Sequence, residues 1–132
     1  MITPVLRVHD VDLSMAFYTR VLGFEGQGGL PGLDGRTLCA EAWLGDARIL
    51  FSRKERHPCG AELYITLPEK LDFERFYASL KARAVCVIDD LHIELWGDHA
   101  FTIIDLDGNR LTFAQPLRFP VHIPKISLAH TA

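Results

Sequence analysis

An α+β fold made of two βαβββ modules is the class that the sequence predicts, and three observations lead to it. The first is an internal repeat. Shifted by 59 residues, Leu6 falls on Ile65, Val8 on Leu67, Phe17 and Tyr18 on Phe76 and Tyr77, and Val21 on Leu80. The second is that each copy opens on alternating apolar residues that run into a stretch of helical spacing. The third is the succession of short extended segments after each helix. A period of about 60 is longer than most solenoid repeats, and two copies are too few to stack. A closed, pseudo-symmetric domain with one cavity between its halves is therefore expected.

The opening strand is expected over 3–8, with apolar residues at the even positions, and its counterpart over 62–67, with apolar residues at the odd ones. Helix one is expected from Asp12 to Leu22, with Asp10 or Asp12 capping its start, Leu13, Ala16, Phe17 and Val21 at helical spacing, and Gly23 closing it. Gly26 to Gly35 carries five glycines and one proline and reads as a mobile loop over a site. Strands over 37–44 and 47–53 join at Gly45-Asp46. Helix two is expected from Lys70 to Ala82. Its stripe of Phe73, Phe76, Tyr77 and Leu80 is wide enough to cover a sheet face, and is read as core rather than as a cofactor box. Extended segments follow at 85–89, 93–96, 100–104 and 110–113, the last two joined by Asp105-Leu106-Asp107-Gly108-Asn109. Three of the seven prolines lie from Pro116 onward, which rules out a long helix there. That apolar tail is expected to pack on the domain or on a partner subunit.

Composition bounds the function. A chain of 132 residues, 48% of them hydrophobic, has material for one core. One domain over 1–116 is therefore expected, with modules over 1–57 and 58–116 and a tail over 117–132. A net charge of -3 offers no basic field to nucleic acid or anionic lipid. No run approaches the roughly 18 apolar residues of a membrane span, and no signal-peptide order opens the chain, so a cytoplasmic location is expected. Cys39, Cys59 and Cys86 are odd in number and lack C-x-x-C spacing, which argues for buried, inert thiols. There is no G-x-S-x-G, no G-x-x-x-x-G-K-[ST] and no H-E-x-x-H.

Two stretches carry a family resemblance. Leu6-Arg7-Val8-x-Asp10 with Ser14-x-x-Phe17-Tyr18-x-x-Val21-Leu22-Gly23-Phe24, and Asp105-x-Asp107-Gly108-Asn109-Arg110-Leu111, resemble the two ends of a vicinal oxygen chelate domain. That superfamily includes glyoxalase I, bleomycin-resistance proteins, fosfomycin-resistance enzymes and ring-cleaving dioxygenases. The resemblance spans about residues 3 to 116. It implies paired βαβββ modules whose mixed sheet curls around a cleft, with a homodimer as the usual assembly. Function does not follow from the fold, which hosts lyases, transferases, dioxygenases and binding proteins.

In the metal-dependent members, His, Gln or Glu side chains from four strands converge on a divalent ion. The resemblance places those positions at Thr3, Leu50, Glu62 and Thr112, of which only Glu62 binds metal well. No resident metal and no cofactor are therefore expected. A relocated site from His92, Glu94 and His99 is the alternative, against a plain solvated strand face. His57 lies in a charged run that reads as a strand end and loop.

Strand parity then predicts which side chains face the cleft: Thr3, Val5 and Arg7; Arg48, Leu50 and Ser52; Glu62, Tyr64 and Thr66; Arg110, Thr112 and Ala114. Such a mixed lining suits a small-molecule pocket, and equally an open solvated sheet. Glu94-Leu95-Trp96-Gly97 before Asp105 is similar to bleomycin-resistance proteins, whose aromatic crevices bind drug without metal. Trp96 and Trp43 are candidate stacking walls or interface packing, and Arg7 with Arg48 a candidate carboxylate clamp. The expected function is metal-free binding of an aromatic or anionic compound, resembling antibiotic resistance, by a homodimer. The expected ligand contacts are Arg7, Trp43, Arg48, Leu50, Glu62, Tyr64, Glu94, Trp96 and Thr112. The alternatives are a metal-dependent lyase or dioxygenase, and a metal-independent isomerase or lyase with Glu62 as general base.

Overall fold

The computed structural model describes residues 2–54 and 60–117. β1 (Val5–Val8) leads into α1 (Val11–Ala16), which continues as a π-helical turn over Phe17–Val21, and then into β2 (Glu25–Pro31), β3 (Thr37–Leu44) and β4 (Ala47–Arg53). The second half repeats the series with β5 (Glu62–Thr66), α2 (Phe73–Ala82), β6 (Val87–Ile93), β7 (Asp98–Ile104) and β8 (Arg110–Pro116). The two sheets have the same order, β1-β4-β3-β2 and β5-β8-β7-β6. In each, the outermost pair is parallel and the remaining pairs antiparallel. This is the α+β architecture of paired βαβββ modules that the repeat predicts.

The helices start where side chains can satisfy their free amides. Asp10 accepts from Leu13 N at 3.0 Å and Asp72 from Arg75 N at 3.1 Å, each meeting an amide that lacks a helical partner. Helix two thus begins three residues after the expected Lys70. Helix one widens after one and a half turns. Leu22 N reaches back to Phe17 O at 3.1 Å, a π-type bond, and Tyr18 in this turn points into the core. Phe73 and Leu80 of α2 are buried, with Phe76 and Tyr77 packed against the core. All three rings touch Phe101 of β7, at centroid distances of 5.4, 6.0 and 4.9 Å. One buried cluster draws on both halves, from Leu6, Phe24 and Phe51 to Ile65, Phe101 and Phe113.

Several local expectations are corrected. The glycine-rich stretch is not a free loop, because Glu25–Pro31 pairs with β3, with register shifts beyond Gln27. Its glycines are set by close approach: a Cβ on Gly29 would lie 2.0 Å from Cys39 O, and one on Gly26 2.4 Å from Met15 Cε. The segments 85–89 and 93–96 are one irregular strand, β6, with shifts on both sides of Asp89, and residues 95–97 form the turn after it. Cys86 is exposed and Cys39 half-buried, since both lie outside the dry faces that hold the core. Parity holds for the dry residues Leu6, Ile49, Ile65 and Leu111, all buried, but Ala114, expected in the cleft, is buried too. His57, Cys59, the module boundary near 57 and the tail beyond 117 lie outside the described residues. Among the described residues no helix is long and apolar enough to cross a membrane.

Candidate functional site

Outward side chains of three neighbouring strands converge on the open face of the second sheet. Glu62, Leu63, Tyr64, Thr102, Arg110 and Thr112 line a hollow of about 370 Å³. Register brings them together: Glu62 lies opposite Arg110, Tyr64 opposite Thr112, and Thr112 opposite Thr102. Alternate residues of a strand share one face, so strands in register deliver them to one place. A smaller groove of about 270 Å³ lies where the two halves meet, with Pro4, Arg48 and Ile49 on one side and Tyr64, Ile65 and Thr66 on the other. Tyr64 is a wall of both.

The turn after β6 carries Trp96 to Tyr64, and Gly97 at φ 96° makes that turn possible. The two rings are 5.9 Å apart at 59°. Trp96 Nε1 donates to the Tyr64 hydroxyl at 2.9 Å and to Asp98 Oδ2 at 3.2 Å, while the Tyr64 hydroxyl donates to the same carboxylate oxygen at 2.6 Å. Their polar ends are held, yet Trp96 remains 56% and Tyr64 46% exposed. Partial burial, and then the Asp98 carboxylate, push the Tyr64 phenol up to about 12, so it stays a donor at neutral pH.

The other expected residues divide. Thr112 Oγ1 lies 2.7 Å from Thr102 Oγ1. Glu62 faces Arg110 at 3.8 Å with 78% of its side chain exposed. Such a solvated ion pair contributes little and lacks the burial that would raise a carboxyl toward general-base range. Arg48 is committed to Glu41 through Nε at 3.0 Å, and Trp43 Nε1 donates to Glu25 Oε2 at 2.7 Å. Leu50 is half-buried between Val5 and Glu41. Arg7 is exposed, and among the described residues no acidic side chain pairs with it. Glu94 Oε1 lies 2.9 Å from His92 Nε2, whose Nδ1 is 2.7 Å from Asp90 O. The Asp90 carbonyl, then Glu94, raise the His92 pKa. His99 turns the other way and packs its ring 5.5 Å from Phe73.

No divalent-cation site fits these side chains. Of the four positions expected to hold ligands, Leu50 is apolar, Thr112 is bonded to Thr102, and only Glu62 is a carboxylate. Among the described residues no three His, Cys, Asp or Glu side chains gather as a metal site. The closing motif has a structural task instead. Buried Asp105 accepts from Tyr18 Oη at 2.7 Å, from Asn109 Nδ2 at 2.8 Å, and from the amides of Asp107 and Asn109 at 2.9 Å. Asp107 accepts from His9 N at 2.9 Å and from Ser14 Oγ at 3.3 Å. Asp98 and Thr102 were missed in the sequence, although both lie on β7 at the parity that faces the hollow.

The sequence model of the Glyoxalase/Bleomycin resistance protein/Dioxygenase superfamily matches residues 2–113. The chain belongs to that superfamily. Solved structures of the glyoxalase fold resemble it along nearly their whole length. TioX from Micromonospora sp. ML1 is 18% identical with a TM-score of 0.75, covering 88% of this chain and 98% of its own. A glyoxalase-related enzyme from Clostridium phytofermentans is 16% identical with a TM-score of 0.75, covering 88% and 94%. A glyoxalase/bleomycin resistance protein/dioxygenase from Alicyclobacillus acidocaldarius is 19% identical with a TM-score of 0.70, covering 89% and 91%. At such identities the likeness is one of fold. No curated protein matches the chain.

Proposed function

We infer that this superfamily member is a metal-free binder of small molecules, a cytoplasmic homodimer that sequesters an aromatic or anionic compound in the manner of an antibiotic-resistance protein. The observation that carries the reading is the Tyr64–Trp96 pair, two rings fixed by hydrogen bonds at their polar ends with their faces left open beside a hollow. Rigid aromatic surface of this kind binds at low entropic cost, and stacking adds about 1 kcal/mol to simple burial. Thr102 and Thr112 supply hydroxyls along the floor. Arg7 is the residue for an anionic group, because Arg48 is neutralised by Glu41. Trp43, Leu50 and Glu94 belong to the wider lining of this reading. The donor set at Thr3, Leu50, Glu62 and Thr112 supports the absence of a resident ion.

A titration of the tryptophan fluorescence against a panel of conjugated antibiotics tests the proposal. Saturable quenching is expected from at least one compound, and it should be lost in Trp96→Ala and Tyr64→Ala. No response across the panel would favour a purely structural role. Glu62 as general base is the second reading, favoured only by its place in the same hollow. It requires Glu62→Gln to abolish a turnover while leaving ligand affinity intact.

A further inference from the structure

The charges beside the aromatic pair are not equally balanced. Glu62 has Arg110 at 3.8 Å, Glu94 has His92 at 2.9 Å, and Glu41 has Arg48. Asp98 is different. Its Oδ2 takes two neutral donors, the Tyr64 hydroxyl and the Trp96 indole N–H, and among the described residues no cation meets it. Its charge is therefore solvated but not cancelled, at the point where two ring faces lie open. Donating to a carboxylate also makes each ring more electron-rich. A negative charge next to an open π-face attracts the same thing from both, a positive group of low hydration. The raised phenol pKa of Tyr64, to which Asp98 contributes after burial, reports the same local field.

We propose that Asp98, Tyr64 and Trp96 form a receptor corner for an organic cation, so that the compound held in the hollow is an aromatic amine or quaternary ammonium whose positive nitrogen docks against the Asp98 carboxylate. This rests on the small-molecule reading above and sharpens it, with Asp98 as the residue that sets specificity by charge. Arg7 belongs to the other sheet and lines neither the hollow nor the groove. The anionic part of the ligand expectation therefore has no counterpart at the aromatic corner.

Three probes with one ring system separate the possibilities: naphthylmethylammonium, naphthalenemethanol and naphthoate, titrated into the full chain and followed by the Trp96 indole resonance. The expected result is preference for the ammonium over the alcohol by roughly fivefold or more, weakened by salt, with naphthoate poorest. Asp98→Asn, which keeps an acceptor for Tyr64 and Trp96, should erase that preference while leaving the alcohol bound. Tyr64→Phe should retain the order of preference, because the charge remains. Equal binding of all three, a lead for naphthoate, or a preference that survives Asp98→Asn would overturn the cation assignment and leave the binding role standing. If none of the three shifts the indole, both fall together.

Discussion

At the scale of single residues, the side chains that look most like machinery in the sequence are engaged in holding the fold. Asp105, Asp107 and Asn109 spend their hydrogen-bonding capacity on Tyr18, His9, Ser14, Ala61 and each other. Burial, and then the charge of Asp105, raise the Tyr18 phenol well above its ordinary value. This phenol therefore donates permanently and takes no part in acid–base chemistry. Tyr18→Phe should cost about 1–3 kcal/mol, because it strands one oxygen of a buried carboxylate. Denaturant unfolding measures this, and a change below about 0.5 kcal/mol would mean that water replaces the phenol.

At the scale of elements, the departures from regular geometry lie where strands and helices change direction. α2 ends on Ala84 at φ 60°, the one described non-glycine residue in the left-handed region. A Cβ there crowds the following carbonyl, and glycine is the usual residue at this position after a helix. Ala84→Gly is expected to stabilise the protein by about 1 kcal/mol, read as a raised unfolding midpoint with an unchanged denaturant slope. The misreading of β2 has the same root. Glycines required by contact with Cys39 and Met15 erase the alternation by which a strand is recognised. In β6 the register shifts around Asp89 break the period and split one strand into two apparent pieces.

At the scale of the molecule, the two halves share one core and are bolted together by polar contacts between distant segments. Phe24 packs against Phe113 at 6.4 Å, Tyr18 reaches Asp105, His9 N reaches Asp107, and Arg83 Nη1 donates to Val21 O at 2.7 Å. Neither half closes its apolar face alone. Thermal unfolding followed by near-UV and far-UV circular dichroism should therefore give coincident transitions. Two separated transitions would show that the modules are independent.

The repeat, both helices, the dry strand faces and the family were legible in the amino-acid order, because periodicity and caps are local properties written residue by residue. So was the poverty of metal donors at four strand positions. The pairing of Tyr64 with Trp96, the unbalanced charge on Asp98 and the commitment of Arg48 to Glu41 were settled only by the fold. Those contacts join residues 32, 34 and 7 positions apart. Their meeting depends on strand register and on the path of one turn, quantities that no local pattern encodes.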